Sequence, residues 1–344
     1  MRRWWSGLWL LACFGAAVAQ PVDEEAAVRL LAVGDMNLGR HVGQMLLKGS
    51  IGFPFHNVRE ALLRYDIVFG NLESQITDQN GETQHPTDRY VFCAPPQAAK
   101  ALKEAGFTAL STANNHALDY GTDALRETIA HLRGAEIAFG GTSEDSTGLF
   151  EAIILERRGI KFGFLAYTQF VNGRKSTGGM VSVFDPGRLK QEIGKLRPAV
   201  NFVIVSFHGG AEYKERPGET TLKQMRLILD EGADIVLGHH PHVPQGIERY
   251  KGKWILFSLG NFVFYQPQRE WTQKSFAAEF SFRKKGEEPV LEAIRLLPLR
   301  ASHQPSFGVR EKDRKDLLNR LQRLSNVAVS RKDSVFIAYE LSAD

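Results

Sequence analysis

The sequence predicts an α/β fold, and two observations carry that reading. Short apolar, β-rich runs alternate with helical stretches along most of the chain. Almost every run stops at a small cluster of Gly, Asp, Asn, Glu or His. Alternation of this kind builds β-α-β units, with helices packed on a sheet.

The elements follow in order. Val28 to Val33 is the first strand and ends in Gly34-Asp35. Asp66 to Phe69 is a short strand ending in Gly70-Asn71-Leu72-Glu73. Pro95 and Pro96 open a helix over Gln97 to Ala105, and Gly106 is its stop signal. Phe107 to Ala113 is a strand that ends at Asn114-Asn115-His116, and Thr122 to Arg133 is a helix followed by Gly134. Phe150 to Glu156 and Ile160 to Tyr167 pair around Arg158-Gly159. Phe202 to Phe207 is a buried-type strand ending at His208. Leu222 to Glu231 is helical, and Asp234 to Leu237 is a strand ending in Gly238-His239-His240-Pro241-His242. Trp254 to Phe257 precedes Ser258-Leu259-Gly260-Asn261. Beyond about residue 270 the pattern changes to a hairpin (Phe276 to Phe282, Leu291 to Leu297), a basic helix (Arg314 to Leu324) and a closing strand (Val335 to Leu341). Residues 28–265 read as the main domain and 270–344 as a small C-terminal α+β extension packed on it.

Composition bounds the rest. The 344 residues are 43% hydrophobic and 24% charged, which are globular values that exclude disorder, collagen and a polytopic membrane protein. The 43 Lys+Arg against 39 Asp+Glu leave a charge of +4, too slight to argue for a nucleic-acid partner. Two of those charges, Arg2 and Arg3, precede an apolar run from Trp4 to Val18. With Ala17-Val18-Ala19 as the cleavage pattern, residues 1–19 read as a secretory signal peptide and the chain as exported, periplasmic or on the cell surface. The alternative is lipoprotein processing at Cys13 after Leu10-Leu11-Ala12, which alone would tether the chain to a membrane. Cys13 and Cys93 give no disulfide framework and no thiolate zinc site. Cys93 reads as a packed small residue.

The chemistry lies where the polar residues fall. Asp35, Asn71, Glu73, Asn115, His116, His208, His239, His240 and His242 all sit just past strand ends, and five of the ten histidines are among them. In an α/β sheet those ends share one edge, where sites form. Imidazole, carboxylate and amide oxygen without thiolate suit a divalent ion such as Mn, Zn or Fe, one or two of them. Such ions activate water and stabilise developing charge in hydrolysis. No Gly-x-Ser-x-Gly elbow is present, and a glycosidase using Glu73 and Glu212 leaves the histidines unexplained.

Six segments in order carry a family resemblance: Gly34 to Arg40, Gly70 to Glu73, Ala113 to Gly121, His208 to Tyr213, Gly238 to His242 and Ser258 to Phe262. Together the chain over residues 28 to 265 resembles the CapA family of capsule and poly-γ-glutamate synthesis proteins, a branch of the calcineurin-like metallophosphoesterases. The resemblance implies an α/β sandwich, sheets flanked by helices. It implies a metal site held by Asp35, Glu73, Asn115, His208, His240 and His242, with His239 outside it. Asn37 stands where the superfamily has a histidine ligand, and Glu73 or Asn71 where it has a bridging aspartate. His116 matches the catalytic histidine, a general acid, and Arg40 is a candidate clamp for an anionic substrate. Asn37, Asn71, Glu212, Tyr213 and Asn261 are candidates for substrate contact or for support of the ligands, and Asp119 for orienting His116.

Two function classes stand side by side. One is a metal-dependent hydrolase of phosphoester or amide bonds in an anionic polymer or phosphoester substrate at the cell envelope. The other is a non-catalytic, polyanion-binding or export-assisting component of a capsule-synthesis complex.

Overall fold

The computed structural model describes residues 27–146, 148–173 and 177–341. The signal-peptide and Cys13 expectations lie outside these residues. In chain order the elements are β1 (Val28–Met36), α1 (Arg40–Leu47), α2 (Arg59–Leu62), β2 (Ile67–Leu72), β3 (Gln75–Ile76), β4 (Cys93–Ala94) and α3 (Gln97–Glu104). Then come β5 (Ala109–Ser111), α4 (Gly121–Gly134), β6 (Ala138–Gly140), β7 (Ile153–Arg157), β8 (Ile160–Thr168), α5 (Pro186–Leu196) and β9 (Phe202–His208). α6 (Glu219–Asp230), β10 (Ile235–His239), β11 (Ile247–Tyr250), β12 (Lys253–Leu256), β13 (Lys274–Lys285), β14 (Glu288–Arg300), α7 (Glu311–Leu324), β15 (Ser330–Lys332) and β16 (Val335–Glu340) complete the chain.

Two sheets face each other. One has eight strands in the order β15-β16-β14-β13-β1-β2-β5-β6, the other six in the order β11-β12-β10-β9-β8-β7. Alternation along β1 explains the layering. Leu30 and Ala32 point between the sheets, into one core with Phe69, Phe164, Ile204, Leu237 and Phe280. Leu31 and Val33 point outward, under Val42 and Leu46 of α1 and Leu102 of α3. On the far side Val203, Val205 and Val236 meet Ile193 of α5 and Met225 and Ile228 of α6. Strands buried on both faces carry continuous apolar runs, so the β-rich stretches of the sequence lack a polar phase. The result is the expected sandwich of helix, sheet, sheet and helix.

The C-terminal strands are built into the first sheet. β13 pairs antiparallel with β1 (Leu30 opposite Phe280) and with β14 along its whole length. Helix α1 and helix α5 are not foreseen in the sequence. The second is nonetheless signposted: Asp185 accepts the Arg188 N–H at 2.7 Å, and Pro186 takes the first helical position. The basic helix α7 differs from a plain solvated face. Arg320 is buried, donates to the Pro244 carbonyl and to Glu215 Oε1, and lies over the Trp271 ring at 4.2 Å.

Candidate metal centre

Parallel strands deliver the candidate ligands to one edge. β1 and β2 run parallel with Asp35 opposite Asn71, and β9 and β10 run parallel with His208 opposite His239. An isolated bridge between Asp35 and Asn261 joins the first sheet to the segment after β12, where the two sheets meet. That meeting is close. A Cβ on Gly34 would stand 1.8 Å from the Gly260 carbonyl oxygen, and one on Gly238 would stand 2.0 Å from the Phe257 carbonyl oxygen. Only glycine permits this approach, which is why Gly precedes both ligand segments.

The chain then bends sharply. Arg40, Tyr213, His240 and His242 have positive φ (52°, 62°, 95° and 59°), four of the nine such non-glycine residues among those described. Strain of this kind persists where the surroundings over-determine it, and here it aims side chains into one space.

Glu73 is the hub. It is fully buried, and its Oε1 has no hydrogen-bond partner. That atom lies 3.6 Å from His242 Nε2, 3.9 Å from His116 Nε2 and 4.0 Å from His208 Nε2. Ligands of one tetrahedral ion with bonds of ~2.1 Å stand roughly 3.4 Å apart, so the spacing suits donors around an ion. Two groups have ligand atoms within 4.8 Å of one another: Glu73, His208 and His240, and Asp35, Glu73 and His242. They share Glu73. A third acidic group, Glu270, Asp313 and Asp316, is already filled by Lys274 Nζ at 2.6, 3.2 and 2.7 Å.

Amides hold the ligands in place. Asn71 Nδ2 donates to Asp35 Oδ1 (2.8 Å) and meets His208 Nδ1 (3.2 Å), and Asn114 Nδ2 donates to the Leu72 carbonyl (2.7 Å). Asn115 Oδ1 lies 2.7 Å from His208 Nε2, and Asn261 Oδ1 lies 3.0 Å from His242 Nδ1. Asn37 turns its Oδ1 onto the Gly39 N–H (2.9 Å), and its buried Nδ2 is unpartnered. His239 sits beside Asp35 (Nδ1–Oδ1 3.4 Å) without hydrogen-bond alignment and belongs to neither ligand group.

The electrostatics divide the carboxylates. Burial pushes Glu73 well above the ordinary glutamate value, and the Asp35 charge adds to it. Burial would raise Asp35 as well, but the imidazoles of His239 and His242 outweigh it and hold Asp35 well below its usual range. Burial, reinforced by His242, lowers His240 to about 3, so its imidazole is neutral, and its buried Nδ1 has no hydrogen-bond partner. His208 is likewise depressed, by burial and then by His240. Unpaired carboxylate oxygen beside neutral imidazoles is what a divalent cation requires.

His116 stands apart. Its Nδ1 meets Asp119 Oδ2 at 2.7 Å, and its ring stacks on Phe92 with centroids 4.0 Å apart. Nε2 is thereby left to face the site. Asp119 Oδ2 also accepts the Phe92 N–H (2.7 Å), so Asp119 orients His116. Arg40 lies over the other partner of this stack, 4.7 Å from the Phe92 ring centre, and donates to the Arg89 carbonyl. A cleft of about 610 Å³ opens above, lined among others by Arg40, Asn115, His116, Glu212, Tyr213, His240 and His242. Every site residue expected from sequence lies in this centre, its supports or this cleft. Sequence reading missed Asn114, Phe92, Arg89, Gln266 and Arg269. Asn114 was within reach, as part of the quoted Asn-Asn-His. The others lie on loops with no motif spacing. Cys93 is buried, donates to the Glu82 carbonyl and is pushed by burial to about 11, which suits packing and not attack.

Residues 29–266 match the family model described as bacterial capsule synthesis protein PGA_cap. The capsule biosynthesis protein CapA of Bacillus anthracis is 31% identical over 302 residues, 85% of this chain and 72% of that one. The PGA biosynthesis protein CapA of Bacillus subtilis is 31% identical over 260 residues, 74% of this chain and 67% of that one. Among solved structures, a Staphylococcus aureus protein described as a 5'-nucleotidase, in complex with α-ketoglutarate, shares the fold. Its TM-score is 0.52 at 14% identity, over 84% of this chain and 57% of that one. The calcineurin-like phosphoesterase YfkN of Bacillus subtilis scores 0.47 at 15% identity, over 87% and 96%. With more than half its length matched by the family model and two relatives above 30% identity, the chain belongs to the PGA_cap family of bacterial capsule synthesis proteins.

Proposed function

We propose that this is an exported metal-dependent hydrolase acting on an ester or amide bond of an anionic envelope polymer, of the kind implied by its capsule- and polyglutamate-synthesis relatives. The observation that carries the reading is Glu73 Oε1, buried and unpartnered between two ligand groups. Asp35, Glu73 and His242 would hold one divalent ion, and Glu73, His208, His240 and the nearby Asn115 a second, Glu73 being common to both sets. Bound there, such ions supply Lewis acidity toward an anionic oxygen and a water of lowered pKa.

The chain's own residues do the rest. His116, fixed by Asp119, presents Nε2 where it can pass a proton to the leaving group. Phe92 covers its face and keeps bulk water from one side. Arg40 holds an anionic group beside the reacting bond.

Asn37 favours a second reading. Its carbonyl is committed to the Gly39 N–H, which leaves one ligand group without the extra histidine of related sites. On that reading the protein binds a polyanion without cutting it. Chromogenic phosphodiesters and γ-linked glutamate oligomers, assayed with Mn2+ or Zn2+ and again after chelation, separate the two. Metal-dependent turnover that His116→Ala abolishes, with metal content kept, is expected. Full metal occupancy with no turnover on any of them would leave the binding reading.

A further inference from the structure

We infer that the cleft above the centre contains an outer anion subsite, Arg89 with Arg269, and that its ligand is a chain bearing negative charge on successive units. The inference rests on the metal centre as the place where that ligand is held.

Three guanidinium groups, Arg40, Arg89 and Arg269, line the cleft against a single carboxylate, Glu212. None of the three pairs with a carboxylate among the described residues, whereas Arg295, Arg320, Arg323 and Arg331 all do. Each is instead laid over a ring: Arg40 on Phe92 at 4.7 Å, Arg89 on Tyr90 at 4.8 Å and Arg269 on Tyr213 at 4.2 Å. Stacking fixes the plane of each fork; Arg40 commits one donor to the Arg89 carbonyl and Arg89 one to the Tyr90 hydroxyl (2.6 Å), and the donors that remain suit carboxylate or phosphate recognition.

The three differ in position. Arg40 shares the Phe92 ring with His116 and so belongs to the reacting end. Tyr90, beneath Arg89, is among the most exposed aromatic residues, at 58%. Tyr90, Phe170 and Tyr265 are three of the six exposed large hydrophobics among the described residues, and all three line this cleft. Such a patch on one opening marks a binding surface. The outer ring is also tied to the centre. Gln266 Nε2 donates to the Tyr213 hydroxyl (3.4 Å), Asn261 Nδ2 donates to Gln266 Oε1 (3.0 Å), and Asn261 Oδ1 meets His242 Nδ1 (3.0 Å).

A small monoester would satisfy the ions and Arg40 and leave the outer pair unmet. A chain with an anion on each unit satisfies both. The shared chemistry is a repeated oxyanion, carboxylate or phosphate.

The test is calorimetric binding to the full-length, Mn2+-loaded protein and its variants. The probes are γ-linked glutamate as monomer, trimer and decamer, and short and long inorganic polyphosphate. Wild-type affinity should rise at least about tenfold from shortest to longest probe in one of the two series, and that series names the anion. Arg89→Gln and Arg269→Gln should each weaken the longest probe by about fivefold and leave the shortest unchanged. The double variant should lose the length dependence with metal content intact. Equal affinity for short and long probes in both series, or a double variant that keeps the length dependence, overturns the subsite. Length-dependent binding without any hydrolysis would count against the hydrolytic reading and leave this one standing.

Discussion

At the scale of single residues, Glu73 sets the terms. Burial, and then the charge of Asp35, raises this carboxyl, whose Oε1 is unpartnered, above the ordinary value of 4.5. In the metal-free protein its contribution to stability is therefore present below that value and lost as pH rises above it. Glu73→Gln should accordingly raise the melting temperature of the metal-free protein at neutral pH while removing metal binding, a pairing that calorimetry and metal analysis read together. A metal-free variant less stable than wild type would mean Glu73 is paid for by interactions within the chain alone. Asp119 makes a second case. It touches His116 and the Phe92 N–H but no candidate metal ligand. Asp119→Ala should lower turnover about 10- to 100-fold with KM and metal content little changed. Loss of metal in that variant would place Asp119 in the ligand set instead.

At the scale of elements, the site is a property of strand ends. β1, β2, β9 and β10 each carry a buried polar residue in their last two positions (Asp35, Asn71, His208 and His239), and the sequence shows this as an apolar run broken by Asp, Asn or His. The metal side of the site was legible for that reason. The cleft wall was not. Arg89, Phe92 and Arg269 sit on loops whose placement depends on contacts distant in sequence, such as Arg40 with the Arg89 carbonyl. Helix α1 was missed because Gly39 and Arg40 look like the tail of a loop motif. Gly34 is the element-scale test. Gly34→Ala forces a methyl group against the Gly260 carbonyl and should destabilise the fold by about 2 kcal/mol or more in denaturant titration. A variant as stable as wild type would show that the two sheets do not meet this closely.

At the scale of the whole molecule, the sandwich needs its C-terminal strands. The sequence pattern changes near residue 270, and that change reflects a switch from parallel crossover units to an antiparallel hairpin, which needs no helix between strands. Phe276, Phe280 and Phe282 of β13 fill the core between the sheets. A chain ending at residue 269 strips β1 of a neighbour and should fail to fold, seen as loss of a cooperative melting transition. A folded, metal-binding truncation would instead make residues 270–341 a dispensable addition. The ligand-bearing strands of both sheets converge only in the folded whole, and the shared Glu73 is the centre of that convergence. Metal content per chain of the purified protein after loading with Mn2+ or Zn2+, compared with Glu73→Gln, tests this most directly. Two ions per chain in the wild type and loss of both in the variant are the expected result, and a wild-type chain that stays metal-free would contradict it.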